Sequence, residues 1–213
     1  MNRLFPVMFV LSLFMGLTDI KAQNGDIQLP KPDLNEQSCS VVQALATRHS
    51  TREFGAQKLT TQQLSNLCWA ACGCTRGLNF RTAPTAMNRQ EVRLFVFTQD
   101  AAYEYLAKTN VLQKKAEGDH RDILAGSQEF VKTAPVVLVM VADFDIYGKK
   151  DEMSHLMCSV DVGNVSENIN LYCQSVGLVT VPRATMDIQA VRKLLSLTEN
   201  QLPLMNNPVG FPK

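Results

Sequence analysis

Val136-Val137-Leu138-Val139-Met140-Val141-Ala142 is an unbroken apolar run, rich in β-branched side chains and preceded by Pro135. A strand sends alternate side chains to opposite faces. A run with no polar position therefore presents apolar groups on both faces, and both must be covered. The run is also too short for an ordinary helix. It specifies a central strand with a layer of structure on each side, which the rest of the chain must supply.

Helical patterns flank it. From Ser38 onward, Val41, Val42, Leu45 and Ala46 share one face. Thr60 and Gln63 write a capping box, followed by Leu64, Leu67, Cys68, Ala71 and Cys72 on one stripe, closed by Gly73 and Gly77. Thr82–Gln90 is an irregular polar loop, and Val92–Phe97 reads as a strand. Asp100–Ala107 reads as a helix. Asn110–Arg121 is charged and weakly patterned, a loop or short helix. Ser127–Thr133 reads as a helix stopped before Pro135, and residues 143–150 as a turn. Asp151–Val176 is the longest helix, with Gly177 as its C-cap. Its apolar residues fall on more than one face, which suits burial between two subunits or at the centre of one. Leu178–Val181 is a short strand, and Asp187 caps a helix through Val191, Leu194 and Leu195. Pro203, Pro208 and Pro212 keep the tail from Leu202 extended. Few strands among several helices give an α+β class, arranged as a three-layer α/β/α sandwich.

The first residues have another purpose. Met1-Asn2-Arg3 is a short basic start, Leu4–Leu17 is almost wholly apolar, and Ala22 before Gln23 offers a cleavage point. That is the pattern of a signal peptide over 1–22, too short for a comfortable membrane span. The expectation is an exported, periplasmic protein, or one anchored outside the cytoplasmic membrane where the leader is kept. Residues 23–37, with Pro30 and Pro32, form a linker or N-terminal arm, and 38–213 form one domain. Apolar content of 46% supports a sizeable core in that domain. The net charge of +1 is that of Arg3, Lys21 and Asp19, so the remainder is neutral. A neutral body argues against nucleic-acid binding, which needs a basic surface.

Arg48-His49-Ser50-Thr51-Arg52-Glu53-Phe54 concentrates anion-binding donors. A guanidinium forks onto a phosphate, and a hydroxyl adds a further bond. The stretch is either a cradle for a phosphorylated cofactor or a polar helix end facing water. Arg121 and Arg183 pose the same choice between ligand contact and solvated surface. Asp161 and Asn164 on the long helix read as interface hydrogen-bonding groups. Trp69 reads as core. Cys68, Cys72 and Cys74 are grouped, with Cys39, Cys158 and Cys173 scattered. Buried thiols, a disulfide through Cys74 or Cys39, and a metal site all stay open, but no fourth zinc ligand lies nearby and no metal is expected.

Four separated segments resemble the FMN-dependent nitroreductase family, with the nearest likeness to its exported bacterial members and to the SagB-type dehydrogenases of thiazole- and oxazole-forming systems. The likeness runs from Ser38 to the C-terminus. Arg48–Phe54 is similar to the family's opening signature, which implies that Arg48, His49, Ser50 and Arg52 hold the flavin phosphate and ribityl chain. Pro84-Thr85-Ala86-Met87-Asn88-Arg89-Gln90 is similar to the Pro-Ser-x-x-Asn-x-Gln loop that reaches the flavin from the other subunit, with Thr85 keeping the hydroxyl. It implies contacts at Pro84, Thr85, Ala86 and Asn88. Gly177–Thr185 is similar to the strand and turn against the reactive edge of the ring. It implies roles for Pro182, Arg183, Ala184 and Thr185, with backbone N–H groups near Ala184 and Thr185 orienting N5 and O4. Pro208–Lys213 resembles the strand end after which a basic residue, here Lys213, turns onto the phosphate.

The resemblance implies a nitroreductase-like FMN-binding fold with a central, mostly antiparallel sheet, and a homodimer with FMN at the subunit interface. It implies an oxidoreductase that alternates between a donor, NAD(P)H or another reductant, and a small-molecule acceptor such as a nitroaromatic or quinone. No catalytic side chain is expected, because a flavin carries its own chemistry. The acceptor is expected to be selected by Asn110–Gly126. A flavin-sequestering protein with little turnover, and a dehydrogenase that uses its substrate as donor, are the alternatives, with a thiol or zinc protein a weaker third.

Overall fold

The computed structural model describes residues 25–213. The expected signal peptide lies outside them. The arm that follows packs onto the domain: Ile27–Gln28 form β1, an edge strand of the main sheet. Leu29 is buried beside it. The Pro30 carbonyl accepts from Ser65 Oγ at 2.5 Å and from Asn110 Nδ2 at 2.7 Å. Strand pairing, these hydrogen bonds and the Ile27 and Leu29 side chains together dock it.

Two capping boxes start the first helices. Ser40 with Gln43 opens α1, Val41–Thr47, and Thr60 with Gln63 opens α2, Thr61–Cys72. The Gly73 N–H returns to the Trp69 carbonyl at 2.7 Å. A side chain at Gly73 would meet the Trp69 ring at 2.3 Å, so the close approach requires glycine. A small hairpin follows, β2 Cys74–Thr75 with β3 Phe80–Arg81. Trp69 Nε1 donates to the Cys74 carbonyl at 3.0 Å, tying hairpin to helix.

After β4, Val92–Thr98, the fold departs from the expected order. Asp100–Ala107, expected as a helix, contains β5, Ala101–Leu106. Asn110–Arg121, expected as loop or short helix, contains β6, Val111–Glu117. The period is two: Ala101, Tyr103 and Tyr105 enter one core and Ala102 the other. Glu104 disguises it as a polar helix face. It is buried, but Arg93 meets it at 2.7 Å and Lys115 at 2.8 Å. Those partners come from the strands on either side, so the charge is tolerated only after the sheet forms.

A short helix α3, Asp122–Ala125, precedes a 3₁₀ turn, Glu129–Thr133, where a helix was expected. Every residue of β7, Val136–Asp143, is buried, as the apolar run requires. The expected turn at 143–150 holds α4, Phe144–Tyr147, capped by the Asp143 side chain. The long helix α5 spans Glu152–Ser175 with Asp151 as N-cap, and Gly177 follows in the left-handed region at φ +76°. Then come β8, Val179–Thr180, and α6, Ile188–Leu194, capped by Asp187.

The proline-rich tail is more than extended. Gln201–Gly210 form β9, inserted between β7 and β8. Pro203 sits at a register shift against β7. On the other edge, Asn206 N donates to the Arg183 carbonyl at 2.7 Å. By strand alternation the ring nitrogen of Pro208 also faces away from β7, so no ladder bond to β7 is lost.

The sheet runs β1-β6-β5-β4-β7-β9-β8, with every neighbouring pair antiparallel. On one face α5 packs Val162, Val165, Ile169 and Cys173, and α2 packs Leu67 and Cys68, against Leu94, Leu138 and Met140. On the other, α3 and α6 cover Phe95, Phe97, Val137, Val139 and Val141. This is the expected three-layer α+β arrangement, and each fully buried Leu, Val or Phe contributes about 1.5–3 kcal/mol.

Candidate functional site

α1 ends at Arg48, whose N–H closes the helix on the Ala44 carbonyl. The next residues run past β8 and β9. Thr51 N donates to the Thr180 carbonyl at 3.0 Å, and Gly55 N to the Phe211 carbonyl at 2.9 Å. The Pro212 carbonyl comes within 3.1 Å of a Cβ built on Gly55, which places Lys213 beside the Arg52–Gly55 segment. Three stretches far apart in sequence therefore meet on one rim. A pocket opens there, lined by Arg48, His49, Ser50, Asn170, Thr180 and Pro182 among others.

The rim is cationic and underused. Arg48 meets Glu167 at 3.5 Å, both half-exposed. Among the described residues neither Arg52 nor Lys213 has an ion-pair partner, and the Ser50 hydroxyl has no hydrogen bond. His49 Nδ1–H donates to the Thr47 carbonyl at 3.0 Å. The N–H groups of Ala184 and Thr185, both exposed, donate to no partner among the described residues.

Arg183 behaves otherwise. Nε donates to Gln128 Oε1, Nη1 to the Leu124 carbonyl and to Asn206 Oδ1, and Nη2 to the Ala125 carbonyl, at 2.7–3.0 Å. Its backbone N–H goes to the Asn206 carbonyl at 2.8 Å. Burial, and then the neighbouring Arg52 charge, push its pKa down. The Arg183 side chain thus anchors the turn from within. Arg121 is likewise buried, forked onto Asp119 at 2.6 and 2.8 Å and bonded to the Ala134 carbonyl. It is neither a solvated arginine nor free to bind a ligand. Of the stretch expected to select the acceptor, Val111–Glu117 is sheet, and only the end around Leu124–Gly126 touches the 183–185 turn.

The loop with Pro84, Thr85, Ala86 and Asn88 does not line this pocket. It is tied to α5 lower down. Ala86 N donates to Asp161 Oδ2 at 2.7 Å, and Asn164 Nδ2 to the Pro84 carbonyl at 3.4 Å. Thr85 Oγ1 accepts from Gln90 N at 2.9 Å. Met87, Asn88 and Gln90 have φ of 53°, 54° and 58°. Three left-handed non-glycine residues in four positions hold only where the surroundings impose them, at a cost on the order of 1–3 kcal/mol each.

Beneath this loop lies Glu91, fully buried, with neither carboxyl oxygen bonded among the described residues. Burial pushes it up to about 7, a backbone hydrogen bond opposes the rise, and Asp161 adds to it. Keeping its proton spares Glu91 the charge that burial penalises. The unfolded carboxyl titrates near 4.5, so the folded state holds the extra proton between the two values and stability falls as pH rises through that window. We expect the wild-type protein to lose about 1–3 kcal/mol of stability between about pH 5 and 7.5 that Glu91→Gln does not lose, read from urea melts.

All six cysteines are unpaired. Burial pushes the Cys72 and Cys158 thiols up to about 12 and raises Cys68 and Cys173 as well, which keeps them protonated and inert. Among the described residues no His, Cys, Asp and Glu group could hold a metal ion. Glu91, Gln128, Asn170, Asn206 and Asn207 escape sequence reading. The one cue is two asparagines in an apolar stretch of the tail, a residue type that strands disfavour.

The nitroreductase family model matches residues 45–211. A protein described as a nitroreductase from Methanocaldococcus jannaschii is 29% identical over 198 residues, covering 87% of this chain and 96% of that protein. An FMN reductase [NAD(P)H] from Bacillus subtilis is 26% identical over 187 residues, covering 81% of this chain and 66% of its own length. The crystal structure of a protein described as a nitroreductase from Ralstonia eutropha matches with a TM-score of 0.81 at 32% identity, covering 88% of this chain and 90% of that one. With the family model spanning most of the domain and a solved structure this similar in sequence and shape, the chain belongs to the nitroreductase family.

Proposed function

We propose that this protein is an FMN-dependent oxidoreductase that takes reducing equivalents from NAD(P)H or another reductant and passes them, in a second half-reaction, to a small organic acceptor such as a nitroaromatic or quinone. One observation supports the reading: Arg48–Gly55 lies against Thr180 and Phe211, with the Arg48 end lining a pocket that Pro182 also lines and Arg52 near enough to Arg183 to lower its pKa. The FMN reductase relative supports the cofactor and the nicotinamide donor.

The residues fit such a cofactor. Arg48, Arg52 and Lys213 would meet its phosphate, and two of them lack an acidic partner among the described residues. A phosphate would also relieve the repulsion between Arg52 and the desolvated Arg183. The free Ser50 hydroxyl suits the sugar chain. Bound FMN would supply the hydride chemistry. The chain would supply the N–H groups of Ala184 and Thr185, set in advance where negative charge gathers on the ring, which favours its reduction.

The working unit in this reading is a homodimer. Val41, Val42 and Leu45 on α1 and Met153, Leu156 and Val160 on α5 stand 50–74% exposed, and apolar surface of this kind marks an interface. A second copy would bring its Pro84–Asn88 loop, which does not line the Arg48 pocket of its own chain, to the flavin. The Leu4–Leu17 run supports an exported, periplasmic protein. Among the described residues no helix is long and apolar enough to cross a membrane.

Mixed with FMN, the purified protein is expected to turn yellow at one flavin per chain. It should bleach anaerobically on adding NADH or NADPH and regain colour on adding a quinone or nitroaromatic. A colourless protein that takes up no FMN defeats the reading. A yellow one that no nicotinamide bleaches replaces the donor by another reductant or leaves a flavin-sequestering protein.

A further inference from the structure

β9 carries two adjacent asparagines, Asn206 and Asn207, both fully buried. A buried amide is costly unless its groups are bonded. Neighbouring strand positions face opposite ways, so the pair reaches into both outer layers at once.

Asn207 lies across from Leu138 and points toward α5. Its Oδ1 accepts from Ser166 Oγ at 2.8 Å, and its Nδ2 donates to Asn170 Oδ1 at 3.0 Å and Thr180 Oγ1 at 3.3 Å. Asn170 lines the pocket and donates to Glu167, the partner of Arg48, at 2.9 Å. Thr180 receives the Thr51 N–H. Asn207 therefore braces the arginine and serine end of the rim.

Asn206 lies across from Val139 and points toward α3. Its Oδ1 accepts from Arg183 Nη1 at 2.7 Å, and its Nδ2 donates to the Thr185 carbonyl at 3.0 Å. Its backbone makes both bonds of an antiparallel bridge with Arg183, at 2.8 and 2.7 Å. In a trans peptide the C=O and the following N–H point opposite ways. The Arg183 carbonyl, held by Asn206 N, therefore turns the Ala184 N–H away from β9 and into the open. One residue grips the turn at its first and third positions and leaves the second presented.

We propose that Asn206 is a positioning residue that sets how the Ala184 and Thr185 N–H groups meet the cofactor ring, and that Asn207 separately positions the phosphate end. This rests on the flavin reading of the site. The two neighbours should then control different properties of the bound cofactor.

Asn206→Leu and Asn207→Leu are matched substitutions, each removing one buried amide at similar volume. Loaded with FMN, Asn206→Leu is expected to lower the midpoint potential by about 30 mV, the two-electron equivalent of a tenfold weaker preference for reduced over oxidised flavin. Asn207→Leu is expected to weaken FMN binding about tenfold and leave the potential of the bound fraction unchanged, since its bonds hold Asn170 and Thr180 on the phosphate side. An unchanged potential in Asn206→Leu, or equal shifts in both variants, overturns the proposal and leaves the FMN reading standing. A wild-type protein that takes up no FMN overturns both. Hydrogen exchange on the wild-type protein needs no variant: the Ala184 and Thr185 amides should exchange fast without FMN and slow on loading. Unchanged exchange in a loaded protein also overturns the proposal.

Discussion

Replacing Arg48 with alanine is expected to leave a folded protein that no longer retains FMN. The guanidinium stands at the end of α1, at the mouth of the pocket, and its one ion pair, with Glu167, is long and half-exposed. Such surface pairs contribute about 0–1 kcal/mol, so the thermal midpoint of the FMN-free protein should barely move. A hydrogen bond to a charged group is worth about 1.5–3 kcal/mol, which is roughly ten- to a hundredfold in affinity. Purification of Arg48→Ala followed by absorption spectroscopy and FMN titration checks this. Recovery of the variant with one tightly held FMN per chain would sink the phosphate assignment.

Replacing Arg183 with methionine should do the reverse and strike the fold first. The side chain is buried, and its removal strips donors from the Leu124 and Ala125 carbonyls, Asn206 Oδ1 and Gln128 Oε1. An orphaned buried acceptor costs about 1–3 kcal/mol and part of the loss relaxes, so we expect about 3–5 kcal/mol in all. For a domain of this length that lowers the thermal midpoint by about 6–20 °C. Arg183→Lys should recover little, because an ammonium cannot fork across carbonyls on two elements. A melting scan decides. An Arg183→Met protein as stable as the wild type would mean that the guanidinium bonds contribute nothing net.

The two arginines look alike in sequence, each a cation beside a short polar stretch. Their roles diverge through what the fold places around them. Arg48 ends a helix at a surface pocket. Arg183 is drawn inward by three carbonyl-bearing residues of the 124–128 segment, over fifty positions away. No local pattern reports a partner at that separation. The same limit explains the misread hairpin. Asp100–Arg121 is locally polar and reads as helix or loop, yet it pairs as β5 and β6 because Arg93 and Lys115 neutralise Glu104 across the ladders.

Where the physics is local, the sequence was sufficient. The apolar run at 136–142 placed a doubly covered central strand. The Thr60–Gln63 box, Asp151, Asp187 and Gly177 marked helix ends, because caps are settled within four residues. Four ordered segments were also enough to point to the family. Only the tertiary structure decided that the proline-bearing tail enters the sheet beside β7, and that a glutamate could be buried unpaired under a strained loop. It alone brought the Arg48–Gly55 stretch against Thr180 and Phe211 and bonded two buried asparagines to Asn170, Thr180, Arg183 and Thr185. Each depends on hydrogen bonds and burial between residues far apart in the chain, which take shape only when the sheet closes.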